Sequence, residues 1–483
     1  MNGSQKQQLE TIARNAMRTY GFEPDFPPAA AAQARAGAQP PPSMAIRDLR
    51  DLPWSSIDND DSRDLDQIEV CVTEGGRTRV LVGIADVDVV VTKGSPLDTH
   101  ARINTTSVYT PAIVFPMLPT ELSTDRTSLN QGEDRLAIVM DMTVSDEGLV
   151  TDADVYRASV RNQAQLTYSA VAAWLDGQAP APAALSRMRG LDAQLRQQDQ
   201  IAQTLQRERE ACGALDFDRT ELKPLVDDNG VRELTTERPN RAKLLIENFM
   251  VASNGAVVRF LNTHRFPSIR RVVREPERWP RIVDLAAQHG GSLPAQPDPV
   301  ALQAFLQARR KAEPDTFPDL SLAIIKLLGR GEYVAAGPNE ASGHFALATQ
   351  AYSHATAPNR RYPDVLTQRL VKAALAQAAS PYAMPELSAI ATHCTEQEDE
   401  ANKVERLTKK AAAALWLGDR IGAVFDAIVT GAGPKGTWVR LSGMPVEGRL
   451  ERGAEGLDVG DRLRARLIST DAARGFIDFA RAS

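Results

Sequence analysis

Apolar side chains recur at helical spacing at Leu9, Ile12, Ala13, Ala16 and Met17, which predicts one short amphipathic helix over residues 5–20. The next stretch, Phe26 to Pro42, reads FPPAAAAQARAGAQPPP; its low complexity and bracketing prolines predict a semi-rigid linker, with a boundary near Ser43. The period then shortens. Val- and Ile-rich runs at residues 65–72, 79–91, 136–144 and 150–160, punctuated by Gly75-Gly76 and Glu147-Gly148, predict the strands of a sheet. After residue 185 helical spacing takes over, at 191–210, 241–262, 279–289, 300–310, 320–328, 364–378 and from Pro385 to Leu417. Strands early and helices late predict an α+β domain of mixed sheet and helices over residues 46–417, preceded by the helix and linker of residues 1–45. Beyond it, five short strand-like runs with Gly-rich turns have the size and rhythm of a C-terminal all-β OB barrel over residues 418–483. Within that barrel Phe425 and Trp438 serve equally well as core or as stacking surface, with core the ordinary expectation for an aromatic.

Composition narrows the classes. The 483 residues, 43% hydrophobic and 24% charged, suffice for several cores. Lys and Arg number 56 against 62 Asp and Glu, a formal net charge of −6, so the chain as a whole repels a polyanion and any nucleic-acid site must be a local groove. The three cysteines, Cys71, Cys212 and Cys394, are far apart and not in CxxC spacing, which argues against a disulfide scaffold or a thiolate zinc site and fits a reducing, cytoplasmic setting. The first residues lack the apolar region of a signal peptide, and no window approaches the roughly 18–20 uncharged apolar residues of a membrane span. A membrane protein, a small secreted domain and a disordered chain are therefore not expected.

The segment SSIDNDDSRDLDQIEVCV places Asp58, Asp60, Asp61, Asp64 and Asp66 at the mouth of an apolar strand. Carboxylates this close repel unless they are solvated or share a cation. In an extended chain Asp64 and Asp66 face the same side, and Asp58 across the preceding turn can close an oxygen-rich pocket suited to Mg²⁺ or Mn²⁺. A solvated acidic turn accounts for the aspartates but not for their running into an apolar strand. A calcium loop counted from Asp58 fits until its sixth position, which is Arg63 where a glycine is needed, and no helix precedes it.

Three further positions carry candidate chemistry. Pro358 and Pro363 bracket Arg360 and Arg361 on a constrained loop ahead of a helix, where guanidinium forks suit phosphate; the ordinary reading of two adjacent arginines is a solvated loop. Tyr109, between Val108 and Pro111, stands on a stiff loop able to present a ring for base stacking, although a core tyrosine is the default. Glu405 lies among acidic residues of the last long helix, most of which belong to a solvated face. His344 and His354, isolated from other ligands, read as structural.

These residues taken together resemble the catalytic domain of the ribonuclease II and ribonuclease R exoribonucleases. The resemblance runs in order through SIDNDDSRDLDQIEV, VLVGIADVDVVVTKGSPLD, NTTSVYTPAIVFPMLPTELS, SLNQGEDRLA, AKLLIENFMVASNGAV and HFALATQAYSHATAPNRRYPD, over about residues 50–415, and the tail from Ile421 is similar to the S1-type OB-fold that follows this domain in the family. It implies magnesium-assisted 3′-to-5′ hydrolysis of single-stranded RNA to nucleoside 5′-monophosphates. By position it implies Asp58, Asp64 and Asp66 as the acidic metal site, Tyr109 as the aromatic on the terminal base, Arg360 as the phosphate ligand and Glu405 as a glutamate near the reaction. Arg361 and Trp438 complete the expected RNA contacts. Gln67 departs from the pattern: DLDQ stands where the family has DLDD, so the fourth metal ligand is an uncharged amide, with Asp60 and Asp61 as alternative donors. A catalytically weakened or dead RNA-binding protein on the same scaffold is the rival expectation. A monomer with no obligate protein partner is expected in either case.

Overall fold

The computed structural model describes residues 4–36, 45–75, 77–186, 188–218, 221–237, 239–314, 316–433 and 436–482. Its frame is a seven-stranded mixed sheet in the order Arg47–Asp48, Val150–Arg161, Asp134–Val144, Arg77–Ala85, Gln67–Glu74, Ser55–Asp58 and Ala164–Thr167. The central four strands are antiparallel, with Gln67 opposite Ile84 and Ala85 opposite Ala137. The two flanking pairs, 47–48 with 150–161 and 55–58 with 164–167, run parallel. The period-two runs therefore became a sheet as predicted, and Ser55–Asp58 lays Asp58 at its rim.

Helix Arg241–Thr263 packs on the sheet and buries Leu245, Phe249, Val257 and Leu261 among others. By composition alone its 23 residues are long and apolar enough to cross a bilayer, contrary to the expectation that no segment would be; in the fold it is a central core helix. Each fully buried Leu or Phe there contributes about 1.5–3 kcal/mol relative to exposure. Helices Trp279–Gln288, Pro299–Ala312 and Phe317–Leu328 enclose a satellite core around Trp279, Leu302 and Phe317.

Helix Met384–Leu417 is the spine of the molecule. Its 34 residues carry Glu405 midway, and its end inserts Ala413, Ala414 and Leu417 into the core of the C-terminal barrel. That barrel is closed, in the order Val424–Gly433, Gly436–Leu441, Glu447–Arg452, Phe476–Arg481 and Arg462–Asp471. Gly448 permits the closure, since a Cβ there would lie 2.5 Å from the Phe479 ring and 2.4 Å from the Ile477 carbonyl.

The predicted linker is a correction. Residues Pro28–Ala36 form a helix whose Ala30 and Ala34 are fully buried in the main core. Alanine is the best helix former and small enough to seat against helix Pro96–Asn104, so the composition that reads as a spacer folds once tertiary contacts cover it. The boundary expected near Ser43 lies outside the described residues. Sequence periodicity also missed the hairpin Glu221–Asp227 with Gly230–Glu237, whose charged residues obscure the alternation.

Candidate active site

Chain geometry gathers the acidic residues before any side chain is considered. Asp58 ends its strand, and the chain returns through a turn into residues 63–66, which are zipped onto a neighbouring segment: Leu65 N–H donates to Ser128 Oγ (3.0 Å), Ser128 Oγ–H to the Arg63 carbonyl (2.8 Å), and Leu129 N–H to the Leu65 carbonyl (2.9 Å). The Asp66 carbonyl then accepts from Ala85 N–H at 3.0 Å and starts the next strand. The strand, rather than a helix, on each side of the turn excludes the calcium loop.

Opposite the acids stands the loop 356–361. Asp364, fully buried, accepts from Ala357 N–H and from Arg361 Nη2, both at 2.8 Å, and so ties the loop to the first turn of helix Tyr362–Leu375. Asn359 N–H donates to Asp66 Oδ1 (2.9 Å), and its side-chain oxygen accepts from Thr127 Oγ (2.6 Å). Arg360 then lies with Nε 3.5 Å from Asp66 Oδ2, its side chain 45% exposed and thus within reach of a bound phosphate. Asn359, Ser128 and Thr127 are functional positions that sequence reasoning missed. The only signal was a polar residue at position 359 inside the proline bracket.

Burial raises the carboxyls of Asp58, Asp64 and Asp66 above the usual range, and the Arg360 charge offsets part of that in each case. Asp66, 2% exposed, is pushed up to about 7. Burial, reinforced by the charge of Asp58, also pushes Glu69 well up, and neither of its carboxyl oxygens has a hydrogen-bond partner. Such a set is short of positive charge.

Tyr109 sits on a two-residue ribbon strand, Val108–Tyr109 against Val114–Phe115, with 40% of its surface exposed and its hydroxyl 3.4 Å from Asp64 Oδ2. Burial raises that hydroxyl's pKa, so it remains a donor. Its backbone N–H donates to Glu405 Oε1 at 3.0 Å. Glu405, expected near the reaction, meets the site through the backbone of Tyr109. Tyr109 and Asp64 open into a cleft of about 620 Å³, whose lining also includes Lys223, Leu225 and Lys409. Another hollow, of about 490 Å³ beside Arg209 and Arg310, holds none of the expected residues.

One other expectation is corrected. Arg361 is no RNA ligand: its guanidinium is paired with Asp364 behind the loop, because the turn into the helix sends consecutive side chains opposite ways. Of the two alternative donors, Asp60 Oδ1 accepts from Ser169 Oγ at 2.7 Å, while Asp61 is exposed and lines the cleft. Gln67 opens its strand, and alternation places it on the face of Glu69 rather than that of Asp66. Trp438 is half-buried on the outer face of the barrel, alternating with core residues Thr437 and Val439, and Phe425 leans on the barrel core. His354 hydrogen-bonds Tyr333 at 2.8 Å and His344 caps a short turn, both structural.

Among the described residues no three His, Cys, Asp or Glu side chains form a ready-made metal cage. Asp66 is engaged by the Asn359 N–H and by Arg360, whose charge also reaches Asp58 and Asp64. The under-compensated carboxyls still fit a hard divalent cation that keeps water and phosphate oxygens among its ligands.

A model of the RNB domain matches residues 46–377. The chain belongs to the RNB domain family. A model of the RNase II-type exonuclease C-terminal S1 domain matches residues 423–482, the barrel. Ribonuclease R of Escherichia coli is 32% identical over 454 residues, covering 90% of this chain and 55% of that protein. The chain thus spans just over half the length of that curated relative. Among solved structures, apo Mycoplasma genitalium RNase R superposes with a TM-score of 0.88 at 21% identity, over 98% of this chain and 78% of that one. The same protein in complex with ribose-methylated single-stranded RNA gives 0.86 at 20% identity, with the same coverage. The RNB fold carries the acids on its sheet rim and Arg360 on the facing loop, and the S1-type barrel follows the spine helix.

Gln67 gives a direct test of the metal set. Gln67→Asp adds a carboxylate next to Asp66 in the chain, and the Mg²⁺ concentration for half-maximal rate is expected to fall about tenfold, the equivalent of ~1.4 kcal/mol of added ion–carboxylate attraction. A magnesium titration of initial rates checks this, and an unchanged or higher requirement means that other groups already supply the charge.

Proposed function

We propose that this chain is a magnesium-assisted exoribonuclease that hydrolyses single-stranded RNA from its 3′ end and releases nucleoside 5′-monophosphates. The observation that carries the reading is the facing pair of Asp66 and Arg360, buried acid against reachable guanidinium, beside an exposed tyrosine. Membership of the RNB family and the RNA held by the Mycoplasma genitalium relative support it.

The terminal base stacks on the Tyr109 ring, an interaction worth about 1–3 kcal/mol that sets which phosphodiester reaches the acids. Glu405 holds the Tyr109 backbone and so fixes the height of that ring. Arg360 binds the reacting phosphate and neutralises charge that grows there in the transition state. Asp66, oriented by the Asn359 N–H, keeps Arg360 aimed. Asp58 and Asp64 would hold the divalent cation together with phosphate oxygens. When bound, that cation supplies an activated water and stabilises the leaving 3′-oxygen. The three cysteines are free and two of them are buried, which supports a reducing cytoplasm as the setting of this chain.

The test uses purified protein and an oligoribonucleotide labelled at either end, with Mg²⁺ or a chelator. Stepwise loss of the 3′ label as mononucleotide, only with the metal, is the expected result. Internal cuts, release from the 5′ end, or binding without cleavage would overturn the reading.

A further inference from the structure

The helix Gln5–Thr19 lies outside the acid site, yet its apolar face is spent on the elements that form the Tyr109 cleft. Met17, Ala13 and Ala16 share one cluster with Val108 and Phe115, the two core-facing residues of the ribbon that presents Tyr109, and with Ala401 and Val404 of the spine helix. Met17 is 1% exposed, Val108 0% and Phe115 4%, so this helix and the spine, with Phe22 just beyond the helix end, pack against the buried side of the ribbon. One turn earlier, Leu9 joins Ala411 and Ala412 of the spine, with Val226 and Val231 of the hairpin packed against them. At its start the helix latches that hairpin from the surface: Gln5 Oε1 accepts from Val231 N–H at 3.2 Å, and Lys6 pairs with Asp228 at 2.7 Å. The hairpin supplies Leu222, Lys223 and Leu225 to the lining of the same cleft as Tyr109. One helix therefore touches the ribbon and the hairpin that both line the cleft, and the spine that carries Glu405, the partner of the Tyr109 backbone.

We propose that the N-terminal helix is a positioning element for RNA hydrolysis, with Met17 seating the Tyr109 ribbon and Gln5 and Lys6 holding the hairpin, so that together they fix the register of the terminal nucleotide over the acids. This rests on the exoribonuclease reading for its rate measurements but not for its binding measurement. Small displacements of a positioning group cost rate steeply, because the reacting atoms must meet within a narrow geometry.

The experiment compares the full chain with Met17→Ala and Met17→Leu, each in the native and the Tyr109→Ala background. The probe is a short oligoribonucleotide carrying 2-aminopurine at its 3′ end, whose fluorescence is quenched by stacking. In chelator, Met17→Ala is expected to lose most of the quench that depends on Tyr109, while affinity for a long strand changes little. With Mg²⁺ its single-turnover rate falls about tenfold, Met17→Leu restores it, and in the Tyr109→Ala background Met17→Ala adds no further loss. The double variant Gln5→Ala/Lys6→Ala, which leaves the core intact, is expected to weaken the quench in the same direction and keeps the test available if Met17→Ala does not fold. Unchanged quench in both, or a Met17→Ala effect that adds in full to that of Tyr109→Ala, overturns the proposal. A native protein that shows the Tyr109-dependent quench but releases no mononucleotide defeats the exoribonuclease reading alone, since the quench comparison still decides the role of the helix.

Discussion

Asp66→Asn is expected to abolish turnover, by a factor on the order of 10³, while leaving RNA binding near normal and making the metal-free protein more stable at alkaline pH. The amide keeps the shape that accepts the Asn359 N–H but no longer holds the Arg360 guanidinium by charge. The stability gain follows from proton linkage. Asp66 ionises near pH 7 in the folded chain and at about 3.8 in an unfolded one, so between those values the native state binds more protons and stability falls as pH rises. Above pH 7 the full cost of the buried charge is present, on the order of 4 kcal/mol, and below about pH 4 none of it is. Thermal melts in chelator should show the variant above the native protein at pH 8, with the gap closing toward pH 4. A variant that turns over normally, or that is less stable at pH 8 with its fold intact, would show that Asp66 is not the strained acid of this site.

Sequence made the scaffold legible where periodicity was strong and failed where tertiary contact overrode it. The core helix at 241–263 and the spine at 384–417 differ from their expected limits by a residue, because buried positions recur at helical spacing along both. Ala30 and Ala34 gave no such signal, since alanine is equally at home in a spacer and in a tight helix contact. The acids and Arg360 were visible as residue types out of place, charged groups running into an apolar strand or trapped between prolines. The resemblance singled out Arg360 of the two adjacent arginines, whereas the residue pattern alone did not, because that depends on where helix Tyr362–Leu375 begins. Nor was the role of Glu405 visible, for a helix face shows which way a carboxylate points only once the Tyr109 ribbon is laid across it.

The loop that makes this choice depends on one buried carboxylate. Asp364 has no exposed surface, and its Oδ1 accepts from both Ala357 N–H and Arg361 Nη2. Removing it strands the Arg361 charge among Tyr333, Tyr352 and His354 and frees the Ala357 amide, so Asp364→Ala is expected to cost about 3–5 kcal/mol of stability, the penalty for an uncompensated buried charge. Because the same loop holds Asn359 and Arg360 against Asp66, turnover should fall with it even at temperatures where the protein stays folded. Arg361→Met added to Asp364→Ala removes the stranded charge and should recover a substantial part of the stability, since apolar replacement of a buried pair is tolerated far better than loss of one member. Turnover should not recover in that double variant, because the Ala357 amide is still untethered and Arg360 is no longer aimed. Denaturant melts and single-turnover rates across the four-member cycle check both halves. Recovery of rate along with stability would mean that Asp364 serves only to balance Arg361, and that the position of Arg360 is set by Asn359 and Thr127 alone.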